Sequence, residues 1–216
     1  MQDTEAFKRV VNFDNLNSTE LELLQKKLLL RKKTFELKSL AQTNFLKFVK
    51  QVWPEFVEGP HHVQIAKKFE DIAEGRIKRL IVNMPPRHTK SEFASFLFPA
   101  WMMGRDPKLK IIQTTHTAEL SYRFGRKVRN LMEEAGYTDV FEDIKLSQDS
   151  KAAGRWETNK GGEYFAAGVG GAITGRGADL LVIDDPHSEQ DALSETAMES
   201  AYEWYTSGPR QRLQPG

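Results

Sequence analysis

Two stretches of this sequence combine residue types that handle phosphate and a divalent cation. In Arg79-Leu-Ile-Val-Asn-Met-Pro-Pro-Arg-His-Thr-Lys-Ser-Glu92 an apolar run gives way to a prolyl loop and then to Lys90 and Ser91. In Asp179-Leu-Leu-Val-Ile-Asp-Asp185 a second apolar run ends in Asp184 and Asp185. A lysine beside a hydroxyl can neutralise phosphate oxygens and ligate Mg²⁺, while paired carboxylates can hold the cation and orient a water. Together these groups suit the binding and hydrolysis of Mg-ATP.

Such groups work only if secondary structure presents them. Leu80, Ile81 and Val82 are apolar and rich in β-branching, which predicts a buried strand, and Pro85 and Pro86 end it because proline cannot donate to a ladder. Phe93, Ala94, Phe96, Leu97, Ala100 and Trp101 recur at helical spacing, and Gly104 is placed as a helix C-terminus. Lys90 and Ser91 then fall in the first helical turn, where free amides and the helix dipole favour phosphate. Lys90 would reach the β- and γ-phosphates and Ser91 would ligate Mg²⁺. Against the pattern G-x-x-x-x-G-K-[ST], Met84 and Thr89 stand in the glycine positions, and a β-branched Thr89 resists positive φ. A prolyl turn with an incidental Lys-Ser stays open as the alternative.

Leu180 to Ile183 read as a parallel strand covered on both faces. Asp184 at its carboxyl end would hold Mg²⁺. Asp185 stands where ATPases of this kind place a glutamate that orients the attacking water, and Glu189 is the nearest substitute. An Asp-Asp-Pro turn that merely ends a strand is the alternative. Upstream, Gly168-Val-Gly-Gly-Ala-Ile-Thr-Gly-Arg-Gly177 reads as a mobile loop in which Arg176 is the only charge. From the residues alone Arg176 is a surface arginine.

Met-Pro-Pro-Arg-His-Thr-Lys-Ser, followed by Thr-Gly-Arg-Gly-Ala-Asp-Leu-Leu-Val-Ile-Asp-Asp-Pro, resembles the large terminase subunit of tailed bacteriophages, from about Trp53 to the last residue. The resemblance implies a P-loop ATPase of the additional-strand type with a mostly parallel sheet flanked by helices. That ATPase would drive double-stranded DNA into a procapsid as a homo-oligomeric ring on the portal, with a small terminase subunit as partner, in the host cytoplasm. Carried over by position, Pro86, Arg87, His88, Thr89, Lys90 and Ser91 hold the phosphates, Arg87 senses the γ-phosphate, and Ser91 and Asp184 hold Mg²⁺. Asp185 takes the catalytic-acid position, and Arg176 matches an arginine that acts in trans on the neighbouring subunit. Gln64 would read the adenine edge, with Trp53 or Phe56 against the ring; ordinary helix packing is the alternative there. The strand carrying the family's coupling motif and its nuclease domain have no counterpart in the sequence, so the chain reads as an N-terminal fragment.

A length of 216 residues and a 39% hydrophobic share fit an N-terminal helical extension, 1–58, and an ATPase core, 59–216. No apolar run is long enough to span a membrane, and the polar N-terminus is unlike a signal peptide. The absence of cysteine excludes disulfides and thiolate metal sites. A net charge of +1 excludes a globally basic DNA-coating protein, so DNA contact needs a local patch.

Helices are predicted over Thr19–Leu40, capped by Thr19 and Glu22, over Phe45–Trp53, from Pro60 to Gly75, from Thr117 and over Glu195–Tyr205. Lys26, Lys27, Arg31, Lys32 and Lys33 on the first, and Arg123, Arg126, Lys127 and Arg129 later, offer either a phosphate-tracking surface or a solvated face. His61 and His62 lack acid or cysteine partners at ligand spacing. Lys110–Thr115 and Glu163–Ala167 are predicted strands. Besides the terminase-like motor, the residues also permit another P-loop enzyme, such as a helicase-like translocase or small-molecule kinase. A module that binds nucleotide without hydrolysis is the third option.

Overall fold

The computed structural model describes residues 17–173 and 175–214. The first sixteen residues of the expected extension, Thr174 of the glycine-rich loop and residues 215–216 lie outside the described residues. The chain divides into two compact units, 1–39 and 40–216. Helix α1 (Ser18–Thr43) runs across that boundary. Its start is fixed by a reciprocal pair: the Glu20 amide donates to Asn17 Oδ1 at 2.9 Å and the Asn17 amide to Glu20 Oε2 at 3.0 Å. This capping box lies two residues ahead of the expected Thr19/Glu22 pair, because asparagine is the stronger cap.

In the second unit, α2 (Phe45–Val52) and α3 (Pro60–Ala73) precede a continuous helix over 90–105. Helix α2, expected in the extension, buries Phe45, Phe48 and Val49 in the core of this unit. Residues Glu92–Leu97 of the long helix wind as π-helix before α4 (Phe98–Arg105). Pro99 explains the widening, because its ring would collide with the carbonyl four residues back in a regular helix. Gly104 does not end the helix; a Cβ there would lie 2.3 Å from the Phe141 ring, so the glycine is needed for close packing.

Strand β1 (Lys110–Thr115) leads into α5 (Ala118–Leu131), with Thr117 as its side-chain cap, and then the short α6 (Ala135–Thr138). The strands β2 (Leu146–Ala152), β3 (Arg155–Thr158), β4 (Glu163–Gly168) and β5 (Leu180–Ile183) and helix α7 (Glu195–Ser207) complete the order. The sheet runs β2-β3-β4-β1-β5. β1 pairs parallel with both β4 and β5, whereas β2–β3 and β3–β4 are antiparallel. The sheet is therefore mixed rather than mostly parallel, with helices flanking it.

Residues 80–85 form no strand: the segment is outside every ladder, and Ile81 is 86% exposed. Leu80, Val82 and Met84 are half-buried while Ile81, Asn83 and Pro85 are exposed, the period-two pattern of extended chain. Strand pairing needs a neighbour, and β5 pairs only with β1. The core centres on Phe45, whose ring meets Phe69, Phe93 and Trp101 edge-on, each at 5.4 Å between centroids. This aromatic cluster holds the helix that carries Lys90 against α2 and α3. Among the described residues no helix is long and apolar enough to cross a membrane.

Candidate phosphate and cation site

The register places the acidic motif at the carboxyl ends of the parallel strands. Thr114 pairs with Ile183 across β1 and β5, and the chain then leaves the sheet as Asp184 and Asp185. The Asp184 amide donates to Thr114 O at 2.9 Å and the His116 amide to Asp185 O at 3.2 Å, which fixes this exit. Lys90 arrives from the other motif: its Nζ lies 2.6 Å from Asp185 Oδ1 and 3.9 Å from Asp184 Oδ1. Residues far apart in sequence thus converge where ligands of open α/β sheets gather.

The two carboxylates differ. Asp184 is buried and accepts a 2.8 Å hydrogen bond from Ser95 Oγ on the π-helical turn. Ser95 was not anticipated; its signal is a lone hydroxyl four residues after Ser91 among apolar neighbours. The Asp185 side chain is 63% exposed and its backbone has φ of 42°. Among the described residues, the non-glycine positions with positive φ are Arg87, Thr89 and Asp185, all in the two motifs. Left-handed backbone costs roughly 1–2 kcal/mol at a non-glycine residue and clusters at ligand sites.

Thr89 therefore adopts the glycine-like conformation, at φ of 61°, that its β-branched side chain resists. Its hydroxyl donates to His88 O at 2.6 Å and lies 2.6 Å from His62 Nε2. His62 is buried between Phe56 and Phe93, and the Gly59 amide donates to its Nδ1 at 2.8 Å. Burial, aided by the charge of His61, pushes the His62 pKa down. His88 Nδ1 donates to Pro86 O at 2.9 Å, closing the loop on itself. Arg87, at φ of 65°, is exposed on this loop.

The remaining expected site residues are spread more widely. Gln64 is exposed on α3, and Phe56 already packs against Trp53, His62 and Phe93. Trp53 instead lines a groove of about 460 Å³ with Phe96, Leu97 and Leu131, closed at one side by the Lys127–Glu92 ion pair. Glu189 sits on an exposed turn, whereas nearby Asp191 is fixed by the amide and hydroxyl of Ser188 at 3.0 and 2.7 Å. Those hydrogen bonds hold the Asp191 pKa below the usual carboxylate range. Arg176 is ion-paired with Glu163 and lies over the Phe165 ring at 4.1 Å. Glu163 opens β4 and Phe165 lies two residues on, so Arg176 is held toward the amino ends of the strands, whereas Gly168 closes β4 at the other end.

Mg²⁺ and nucleotide phosphates fit the groups present. The first-turn amides at Lys90 have no intrahelical acceptor, Lys90 supplies a cation beside Asp184, and Ser91 and Asp184 would be the residues to hold Mg²⁺. Among the described residues no group of three or more His, Asp or Glu side chains could hold a metal alone. Mg²⁺ needs no such cage, because it keeps several waters and shares its shell with phosphate. No protein-family model matches this sequence. No curated protein is significantly similar to it.

Proposed function

We propose that this chain is the ATPase unit of a terminase-like motor that moves double-stranded DNA into a procapsid. The observation that carries the reading is the contact of Lys90 with the Asp184–Asp185 pair, built from two segments that concentrate the positive-φ residues. Lys90 would exchange Asp185 for the β- and γ-phosphate oxygens when ATP enters. Loop residues 86–91 would cradle the phosphates through their backbone amides, with Arg87 at the γ-phosphate. Ser91 and Asp184 would hold Mg²⁺, which when bound neutralises charge on the transferring phosphoryl group. Asp185, freed from Lys90, would orient a water whose oxygen forms the new bond to the γ-phosphorus as the bond to the β–γ bridging oxygen breaks. The water's proton passes to a carboxylate, Asp185 or Glu189. Arg176 would act on a neighbouring subunit's site, because its own site lies at the opposite ends of the strands. The additional-strand P-loop topology, the ring on a portal, the small terminase subunit and a host-cytoplasmic setting belong to the same reading.

Steady-state Mg-ATP turnover measured against protein concentration, with Lys90→Ala and Arg176→Ala beside the parent, tests it. Turnover that rises faster than linearly, is abolished by Lys90→Ala and falls with Arg176→Ala only in assemblies is expected. Undiminished turnover in Lys90→Ala would remove the phosphate-loop assignment. Nucleotide affinity without turnover in held-together subunits would favour a binding module, for which Asp185 in a glutamate position is the supporting feature.

A further inference from the structure

We infer that His62 is the positioning residue of the phosphate loop, tying Thr89 into the left-handed conformation that a glycine would adopt freely. The inference rests on the phosphate-loop reading and adds to it the element that lets a threonine stand in the loop. A chain of hydrogen bonds carries it. The Gly59 amide donates to His62 Nδ1 at 2.8 Å, which leaves the proton of a neutral imidazole on Nε2. The Thr89 hydroxyl gives its single proton to His88 O at 2.6 Å, so at 2.6 Å from His62 Nε2 it accepts. Every donor and acceptor in this chain has one consistent role, and reversing any one of them breaks the next.

The anchor is itself rigid. His62 is 5% exposed, and its ring centroid lies 4.8 Å from that of Phe56 and 4.9 Å from that of Phe93. Phe93 belongs to the helix that begins with Lys90, so the same ring supports both the loop and the helix it enters. Position 59 leaves room for glycine and not for a side chain: a Cβ there would lie 2.8 Å from the His61 ring. The charged and titratable groups around the imidazole are His61, with ring centroids 3.8 Å apart, Glu58 and His88. Burial and the His61 charge favour neutral His62, the form that makes both bonds.

The clamp makes a coupling prediction. A loop with glycine at 89 does not need the histidine, so the two positions must depend on each other. Affinity for a fluorescent ATP analogue, measured by anisotropy with Mg²⁺, should fall about tenfold in His62→Ala. It should change less than twofold when His62→Ala is added to Thr89→Gly, and His62→Gln, which keeps an N–H near Nε2, should recover part of the loss. Equal losses in both backgrounds would overturn the inference, because a merely structural histidine would weaken either loop alike. Lys90→Ala separates the two readings: parent protein that binds no better than Lys90→Ala overturns both. Parent binding that needs Lys90 but not His62 overturns only this one. Imidazole ¹⁵N shifts at neutral pH test the same contact without nucleotide, with Nε2–H expected and Nδ1–H decisive against it.

Discussion

The two ends of the parallel strands each hold a cation against a carboxylate, yet they are built differently. At the amino end Arg176 pairs with Glu163, which also lies 3.5 Å from Arg155 Nε, and the guanidinium lies over Phe165. Both partners are about four-fifths covered, and Phe165 lies in regular strand. At the carboxyl end Lys90 meets an exposed Asp185 whose backbone is strained, beside a loop with two more strained positions. A cation with a planar fork, an acid and a ring satisfies itself. A point charge on a flexible stem against an exposed acid can change partners. Pairing alone therefore does not mark a site; strain and exposure around the pair do.

The largest expected effect lies at the carboxyl end. Asp184 is buried, and one of its oxygens is occupied by Ser95. Asp184→Asn keeps an acceptor for Ser95 but removes the charge that Mg²⁺ would need. Turnover should drop at least about 100-fold, roughly 3 kcal/mol of transition-state stabilisation, while the urea midpoint moves little. A variant that keeps its turnover would remove Asp184 from the cation site. A variant that loses its fold instead would make the aspartate a core fastener, and the contrast between the two ends would disappear.

How far the sequence discloses this arrangement depends on where the information lies. β1, β4 and β5 and the helices α5 and α7 are legible because local apolar runs and caps specify them. Motif spacing singles out Lys90 at a helix start and Asp184 and Asp185 after β5, and the fold brings these three together. The polar strand β2 is not legible, since it has no apolar run of its own and is ordered by its antiparallel pairing with β3. The extended segment at Leu80–Met84 has a strand's composition yet joins no ladder, although the outer edge of β5 carries no described partner. Ser95 and the contact of His62 with Thr89 escape notice for a related reason: the bonded partners lie far apart in the chain, at 89 and 27 positions' separation. Thr89 looks like a defect in the loop until His62 is seen beside it.

The intermediate effect tests the amino end. Arg176→Ala removes an ion pair and a ring contact at a site about one-fifth exposed. Partly exposed pairs and cation–π contacts contribute up to about 1 kcal/mol each, so a stability loss of about 1 kcal/mol is expected by urea denaturation. Nucleotide affinity of the dilute protein should not change, because Lys90 lies at the other ends of the strands. A weakened affinity in that dilute sample would mean that the two ends are coupled within one chain, and Arg176 would lose its separate role.

The smallest effect is the most discriminating. Asp185→Gly removes three contributions that nearly cancel. Relief of left-handed backbone at φ of 42° favours the variant by roughly 1–2 kcal/mol. The freer unfolded chain of glycine costs about 0.5–1 kcal/mol. Loss of the pair with Lys90, whose acid is 63% exposed, costs up to about 1 kcal/mol. The net change in stability should therefore lie between about 1 kcal/mol of loss and about 1.5 kcal/mol of gain, while turnover is lost if Asp185 orients water. A destabilisation well beyond 1 kcal/mol would show that Lys90–Asp185 fastens the fold as Arg176–Glu163 does. Near-neutral stability with lost turnover would instead identify Asp185 as a residue held in strain for chemistry, which is the property that separates the two ends of the sheet.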